Sequence, residues 1–208
     1  MPGITGLFFH KFNIEVSASF LQRLTLTLKH FDDYKINSKI LFDANAATLF
    51  INRANSNANN CAGYLENSDF FAGIHGEFYG DKFNKISTTT DKLNYILTEY
   101  LKNKNFDFLT DLNGKFYAFI FEKKTKKIML FNDRYALMPV YYFYQNGVFM
   151  FSTELKALLL FPDLRIKLDE NSILDFFTFE YILADRTFIK DIFMLPAATV
   201  LTIAAGQK

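Results

Sequence analysis

The stretch from residue 112 to residue 158, LNGKFYAFIFEKKTKKIMLFNDRYALMPVYYFYQNGVFMFSTELKAL, decides how this chain folds. Four runs within it, 115–121, 127–132, 140–144 and 148–152, are rich in aromatic and β-branched residues. Such side chains suit a pleated, half-buried surface, so each run predicts a strand. Turn chemistry separates them. Asn146-Gly147 is a two-residue hairpin signal, because the matching turn needs positive φ at both central positions. Lys123, Lys124, Lys126 and Lys127 lie between two strand-like runs and read as a solvated turn rather than a phosphate patch. The region therefore predicts an antiparallel meander.

Working outward, residues 4–9 predict a buried strand, 40–42 and 48–51 two short ones, and 70–74 another that runs into a turn at His75-Gly76. Residues 17–30 carry Phe20, Leu21, Leu24 and Leu28 at helical spacing, with Ser17 or Ser19 placed to cap. A second helix is predicted over 91–102, with Leu93, Ile96, Leu97, Tyr100 and Leu101 on one face. A helical turn follows at 106–112, ending at Asn113-Gly114, and helices are expected at 154–160 and 169–177 before a closing strand at 198–203. The polar, Asn-rich segment 52–60 reads as a loop. Strands with interspersed helices of this kind make an α+β domain, not a doubly wound sheet.

The 208 residues, half of them hydrophobic, suffice for one substantial core. Lys and Arg number 23 against 22 Asp and Glu, so no electrostatic nucleic-acid binder is expected. No run approaches the ~18 apolar residues of a membrane span, and the N-terminus lacks the basic region of a signal peptide. A cytoplasmic location is the expectation. The one cysteine, Cys61, excludes an intrachain disulfide and a Cys-rich metal site, and it reads as a small buried hydrophobe. The 26 Phe and absent Trp are read as AT-rich coding rather than a ligand cage.

Several separated stretches resemble one family, in order and spacing. The start, M-P-G-I-T-G, is similar to M-C-G-I-x-G, and Gly73 to Gly80 (GIHGEFYG) resembles a strand ending in N-G-E-I-Y-N. Leu112 to Phe119, Asn132 to Tyr135, Pro139 to Tyr142 and Phe151 to Leu158 resemble L-x-G-M-F-A-F, R-D-R-x-G-x-x-P-L-Y-Y and F-A-S-E-x-K-A-L. Residues 191–196 resemble K-G-I-x-x-L-P-P-G. The family is the class II glutamine amidotransferase domain of asparagine synthetases. The resemblance implies the four-layer αββα sandwich of N-terminal-nucleophile hydrolases.

It also implies a site. In the family an N-terminal cysteine attacks the glutamine amide, with its own amine as base. Here that position is Pro2, which has neither thiol nor hydroxyl. The oxyanion donors correspond to His75 and Gly76, so an imidazole replaces an amide side chain. Gly76, Glu77 and Asp91 occupy substrate-contacting positions, although the helix pattern puts either Asp91 or Lys92 in the slot that would hold the substrate ammonium. The region matching the family's glutamine-holding arginine reads His30-Phe31-Asp32-Asp33, and the nearest alternative is Arg53, placed by sequence in the Asn-rich loop. Asp133, Arg134, Pro139, Glu154 and Lys156 match best and read as structural, the charged ones through salt bridges.

The expectation is thus a single domain over 1–208 that does not hydrolyse glutamine. It would form the N-terminal part of a longer, asparagine-synthetase-like amide-forming enzyme, akin to β-lactam synthetases and lasso-peptide cyclases. The closing AAGQK, directly after a strand, prompts the longer-protein reading. No cofactor or metal is expected in this domain. ATP and Mg would belong to a C-terminal synthetase domain, which is the expected partner; a homodimer stays open. No S-G-G-x-D-S pyrophosphate loop occurs in these 208 residues. The alternative is a non-enzymatic binding or scaffold module that uses the exposed side of the meander, and a downstream pyrophosphate loop would separate the two.

Overall fold

The computed structural model describes residues 2–9, 17–41, 46–54, 62–83, 86 and 88–204. Cys61, Met1 and most of the Asn-rich loop lie outside them. In chain order the elements are β1 (Gly3–Phe9), α1 (Ala18–Leu28), β2 (Tyr34–Leu41), β3 (Ala46–Arg53), β4 (Gly63–Glu66), β5 (Phe70–Phe78), α2 (Thr89–Asn103), β6 (Gly114–Glu122), β7 (Lys127–Asn132), β8 (Tyr141–Gln145), β9 (Val148–Ser152), α3 (Leu155–Leu158), α4 (Glu170–Phe179), β10 (Phe193–Met194) and β11 (Val200–Ile203). A 3-10 turn at Asp107–Asp111 precedes β6.

The strands form two antiparallel sheets. One has the order β10-β8-β9-β1-β3-β2, the other β11-β7-β6-β5-β4. Between them lies a Phe-rich core in which Phe8 contacts Phe119, Phe121 and Phe151, with ring centroids 5.1 to 6.2 Å apart. Each such ring contributes about 1.5–3 kcal/mol by leaving water. Gly73 makes room for this packing, because an added Cβ would run into the Phe119 ring. On the outer face of the six-stranded sheet, α1 buries Phe20, Leu24 and Leu28 beside Ala157 and Leu158 of α3. On the outer face of the other, α2 buries Leu93, Ile96, Leu97 and Tyr100. The layers are α, β, β, α, as the resemblance implied. No described helix is long and apolar enough to cross a membrane.

Two readings of the sequence change. The meander is not one sheet: β6 and β7 belong to the five-stranded sheet, β8 and β9 to the six-stranded one. The segment 133–140 crosses between the sheets, held by the Asp133 carboxylate, which accepts the N–H groups of Tyr135 (2.9 Å) and Leu137 (3.3 Å). β6, β7 and β9 are largely buried, while β8 is half-buried along most of its length. Nor is His75-Gly76 a turn. β5 continues through both, paired with Tyr117 and Phe116. Gly76 permits this with φ +126°, where a Cβ would strike the Lys115 carbonyl.

Candidate functional site

The start of β1 and the end of β5 meet over one tyrosine. Tyr117 on β6 stands opposite His75 on β5, their ring centroids 5.7 Å apart in an edge-on contact. Its Oη accepts the Ile4 N–H at 2.6 Å. A Cβ added at Gly3 would lie 2.5 Å from Thr153 Oγ1 and 2.8 Å from Tyr117 Oη, so β1 begins flush against both side chains. Beside them Thr5 Oγ1 and Ser152 Oγ hydrogen-bond at 2.7 Å. Half-buried Pro2, immediately before Gly3, sits at this same end of the sandwich. Burial raises the Tyr117 hydroxyl far above its ordinary pKa, so it stays neutral.

His75 is 5% exposed, and its Nδ1 has no hydrogen-bond partner. Burial first, then the nearby cations Lys115 and Lys92, push its pKa down to about 4. The ring is therefore neutral at pH 7 and donates from one nitrogen only. The Gly76 carbonyl accepts the Lys92 Nζ at 2.7 Å. Lys92, 2% exposed, is a buried cation in the first turn of α2. Its neighbour Asp91 faces solvent, and its carboxylate closes a capping box, accepting the Thr88 N–H at 3.2 Å and the Thr88 hydroxyl at 2.7 Å. The Thr88 hydroxyl and N–H hold the Asp91 carboxyl below its usual range. Of the two residues the sequence left open, the one turned toward β5 is thus the lysine. Glu77, half-buried, pairs across the strands with Lys115.

The remaining sequence candidates fall elsewhere on this side. His30 Nε2 lies 2.8 Å from both Glu154 oxygens, with Lys156 Nζ 3.3 Å from the same carboxylate. Burial alone would raise the Glu154 carboxyl, but hydrogen bonds and nearby positive charge, those of His30 and Lys156 among them, hold it below the usual range. Phe31 is exposed. Arg53 is not a loop residue: it ends β3 opposite Tyr34, its Nε 3.5 Å from the Asp33 carboxylate. Asp133 braces the sheet through backbone donors rather than a salt bridge, and Arg134 donates to the Thr110 carbonyl at 2.9 Å. Cys61 lies outside the described residues. No group of three or more His, Cys, Asp or Glu among the described residues could hold a metal.

Sequence reasoning missed Tyr117 and Thr153 as site residues, and it left Lys92 open beside Asp91 without foreseeing its burial. Tyr117 reaches Ile4 across 113 residues, a juxtaposition with no local signal. A charged residue at the start of an amphipathic helix reads by default as solvated.

The family model described as "Glutamine amidotransferase domain" matches residues 75–208. A Methanocaldococcus jannaschii protein named as a glutamine-hydrolyzing asparagine synthetase 2 is 29% identical over 140 residues, 64% of this chain and 27% of that protein. The glutamine-hydrolyzing asparagine synthetase 3 of Bacillus subtilis is 26% identical over 98 residues, 47% of this chain and 15% of its own length. The matched segments thus span only about a quarter or less of these relatives. Among solved structures, the glutamine phosphoribosylpyrophosphate amidotransferase of B. subtilis, complexed with ADP and GMP, superposes with a TM-score of 0.51 at 10% identity, covering 99% of this chain and 49% of that one. That likeness fixes the fold as the N-terminal-nucleophile hydrolase type. With the family match covering more than half of the sequence, the chain belongs to the glutamine amidotransferase domain family.

Proposed function

We propose that this domain does not hydrolyse glutamine and serves as the non-catalytic, glutaminase-like part of an asparagine-synthetase-like, ATP-dependent amide-forming enzyme. The observation that carries the reading is Pro2, set just before Gly3 where β1 meets Tyr117 and Thr153. A covalent route needs a thiol or hydroxyl there. Without it, oxyanion donors alone leave residual catalysis. The charge pattern supports the same reading. A free amino acid is held by a cation on its carboxylate and a carboxylate on its ammonium. Here Lys92 is the residue turned to the Gly76 carbonyl, and Asp33 engages Arg53. Two charge-assisted hydrogen bonds lost would cost roughly 3–6 kcal/mol, or about two to four decades in affinity.

In the parent enzyme, as in β-lactam synthetases or lasso-peptide cyclases, an amine of the substrate would attack the activated carboxylate directly. ATP and Mg would act in a C-terminal synthetase domain. The purified chain, its N-terminus checked by mass spectrometry, is expected to release no more ammonia from glutamine than a heat-killed control. Pro2→Cys is expected to remain inactive, and calorimetric titration should show no micromolar glutamine binding. Turnover by the purified wild-type chain would overturn the reading, and micromolar glutamine binding by Pro2→Cys would mean that the charged groups holding glutamine have been misplaced.

A further inference from the structure

The outer face of the five-stranded sheet carries a second concavity, apart from the β1–β5 site. Its roof is the 3-10 turn Asp107–Asp111. Local bonds fix that turn: Asn105 Oδ1 accepts the Asp107 N–H at 3.3 Å, and the Thr110 hydroxyl donates to the Asp107 carbonyl at 2.7 Å. Beneath it, Phe106, Leu109, Leu112, Phe116 and Val200 surround a cavity of about 240 Å³. Phe116 belongs to the cluster that packs against α2, whereas its neighbour Tyr117 points between the sheets, where it meets His75. The sheet therefore separates this cavity from that pair. One wall of the cavity is polar, formed by Thr110, Asn132, Asp133 and Arg134. Most of its hydrogen-bonding capacity is spent within the fold. Asn132 donates to the Pro196 carbonyl at 2.8 Å and accepts the Thr199 N–H at 3.1 Å, while the Asp133 carboxylate accepts the N–H groups of Phe116, Tyr135 and Leu137. Arg134 differs. One Nη donates to the Thr110 carbonyl at 2.9 Å, which pins the guanidinium to the roof and leaves the rest of its donor fork unused among the described residues.

We propose that this cavity binds a small aromatic or branched aliphatic carboxylate, its apolar end beneath the 3-10 turn and its carboxylate on Arg134. Size is the first argument. An apolar cavity of ~150 Å³ holds a benzene molecule. The 240 Å³ here therefore take a ring or branched chain with a short polar arm. Drug-sized ligands need roughly 300–1,000 Å³, so a nucleotide does not fit. Chemistry is the second argument. Small-molecule sites are mostly apolar, with a few placed polar groups that fix orientation. The group with donors to spare on this wall is a planar fork, and such a fork matches a carboxylate in bidentate fashion. Backbone donors offset the Asp133 charge, so Arg134 sets the sign that a ligand meets. Access is the third. Arg134 and Thr110 are exposed while Leu112 and Phe116 are buried, which puts the charged end at the mouth and the apolar end at the floor.

This inference is independent of what the β1–β5 site does. Phenylacetate titrated into the isotope-labelled full chain is expected to shift the amide resonances of Leu109, Thr110, Leu112 and Val200 saturably, with dissociation at or below about 1 mM. Arg134→Gln keeps an amide donor for the Thr110 carbonyl but loses the charge. It should weaken binding at least about tenfold, the loss of one charge-assisted hydrogen bond. Benzyl alcohol keeps the ring without the carboxylate and should bind the wild type at least about tenfold more weakly than phenylacetate does. Val200→Phe fills the cavity and should abolish the shifts. Unchanged far-ultraviolet circular dichroism identifies folded variants, and the comparison of the two probes needs no variant at all. The absence of a saturable shift up to about 20 mM overturns the proposal. So does a response centred on His75 and Tyr117, an Arg134→Gln chain that binds as tightly as the wild type, or benzyl alcohol that binds as tightly as phenylacetate.

Discussion

α2 and α4 are built alike at their ends and oppositely along their sides. Each has a side-chain N-cap, Thr88 and Asp169, and each stops at a residue in the left-handed region, Lys104 at φ 54° and Glu180 at φ 64°. Yet α2 sets Leu93, Ile96, Leu97 and Tyr100 against its sheet, while α4 buries only Ser172 and Asp175 and leaves Leu174, Phe176, Phe177 and Phe179 exposed. Capping fixes where a helix starts and stops, and its apolar stripe fixes what it is for. α2 completes a layer of the domain. α4 is held instead by polar contacts of Asp175 with the loop that follows it.

The sharpest way to break that contrast is to remove apolar bulk from each helix. Ile96→Ala should cost about 2–5 kcal/mol, the range for deleting a fully buried aliphatic side chain. Leu174→Ala should stay within about 0.5 kcal/mol of wild type, as exposed positions do. Urea midpoints of the two variants measure the difference. Equal losses would mean that α4 belongs to the core after all.

A somewhat smaller effect probes what α2 carries toward β5. His75 has its folded pKa near 4, depressed by burial and by Lys115 and Lys92, against an ordinary 6.5. Above pH 6.5 both states are neutral and nothing is lost. As pH falls, the unfolded chain takes up the proton first, so stability declines from about 6.5 down to about 4 and then levels off. The shift corresponds to about 3 kcal/mol. Relative to His75→Gln, the wild type should lose that amount between neutral pH and pH 4, whereas Leu174→Ala should leave the pH profile unchanged. A flat profile for the wild type would mean that the ring is already paired or solvated.

Much of the architecture was legible because its signals are local. The Asn146-Gly147 hairpin, the Ser17 cap and the apolar stripe of α2 each lie within a few residues, and each is present in the structure. The site was legible only as positions. The family pattern pointed to residue 2 and to His75-Gly76, but not to Tyr117, which joins them from β6, because that contact depends on strand pairing. The one-residue ambiguity at Asp91 and Lys92 illustrates the limit. A capping box and a buried lysine are both compatible with the same stripe, and only the packing of α2 against β5 selects between them. The burial of Ser172 and Asp175 in α4 was hidden for a different reason. The run from Ile173 to Phe179 is apolar over most of the helix circumference, so periodicity does not single out an inner side.

The smallest effect concerns the caps, where the two helices match. Thr88→Ala removes the acceptor of the Asp91 N–H, 3.1 Å away, and breaks the reciprocal box. Asp169→Ala removes the acceptor of the Ser172 N–H at 2.7 Å. Each is a loss of about 1 kcal/mol by the usual measure of an N-cap. It should appear in different places. α2 is bound into the core, so uncapping it is felt only when the whole domain unfolds, and Thr88→Ala should lower the global stability by the full amount. α4 has little buried apolar surface of its own, so it can open by itself at a free energy below the global value. Asp169→Ala should then leave the urea midpoint nearly unmoved while amide exchange across 172–176 speeds up about fivefold, the equivalent of about 1 kcal/mol. A global midpoint that falls as far for Asp169→Ala as for Thr88→Ala would show that α4 unfolds only with the rest, and that the two helices differ in appearance but not in how they are held.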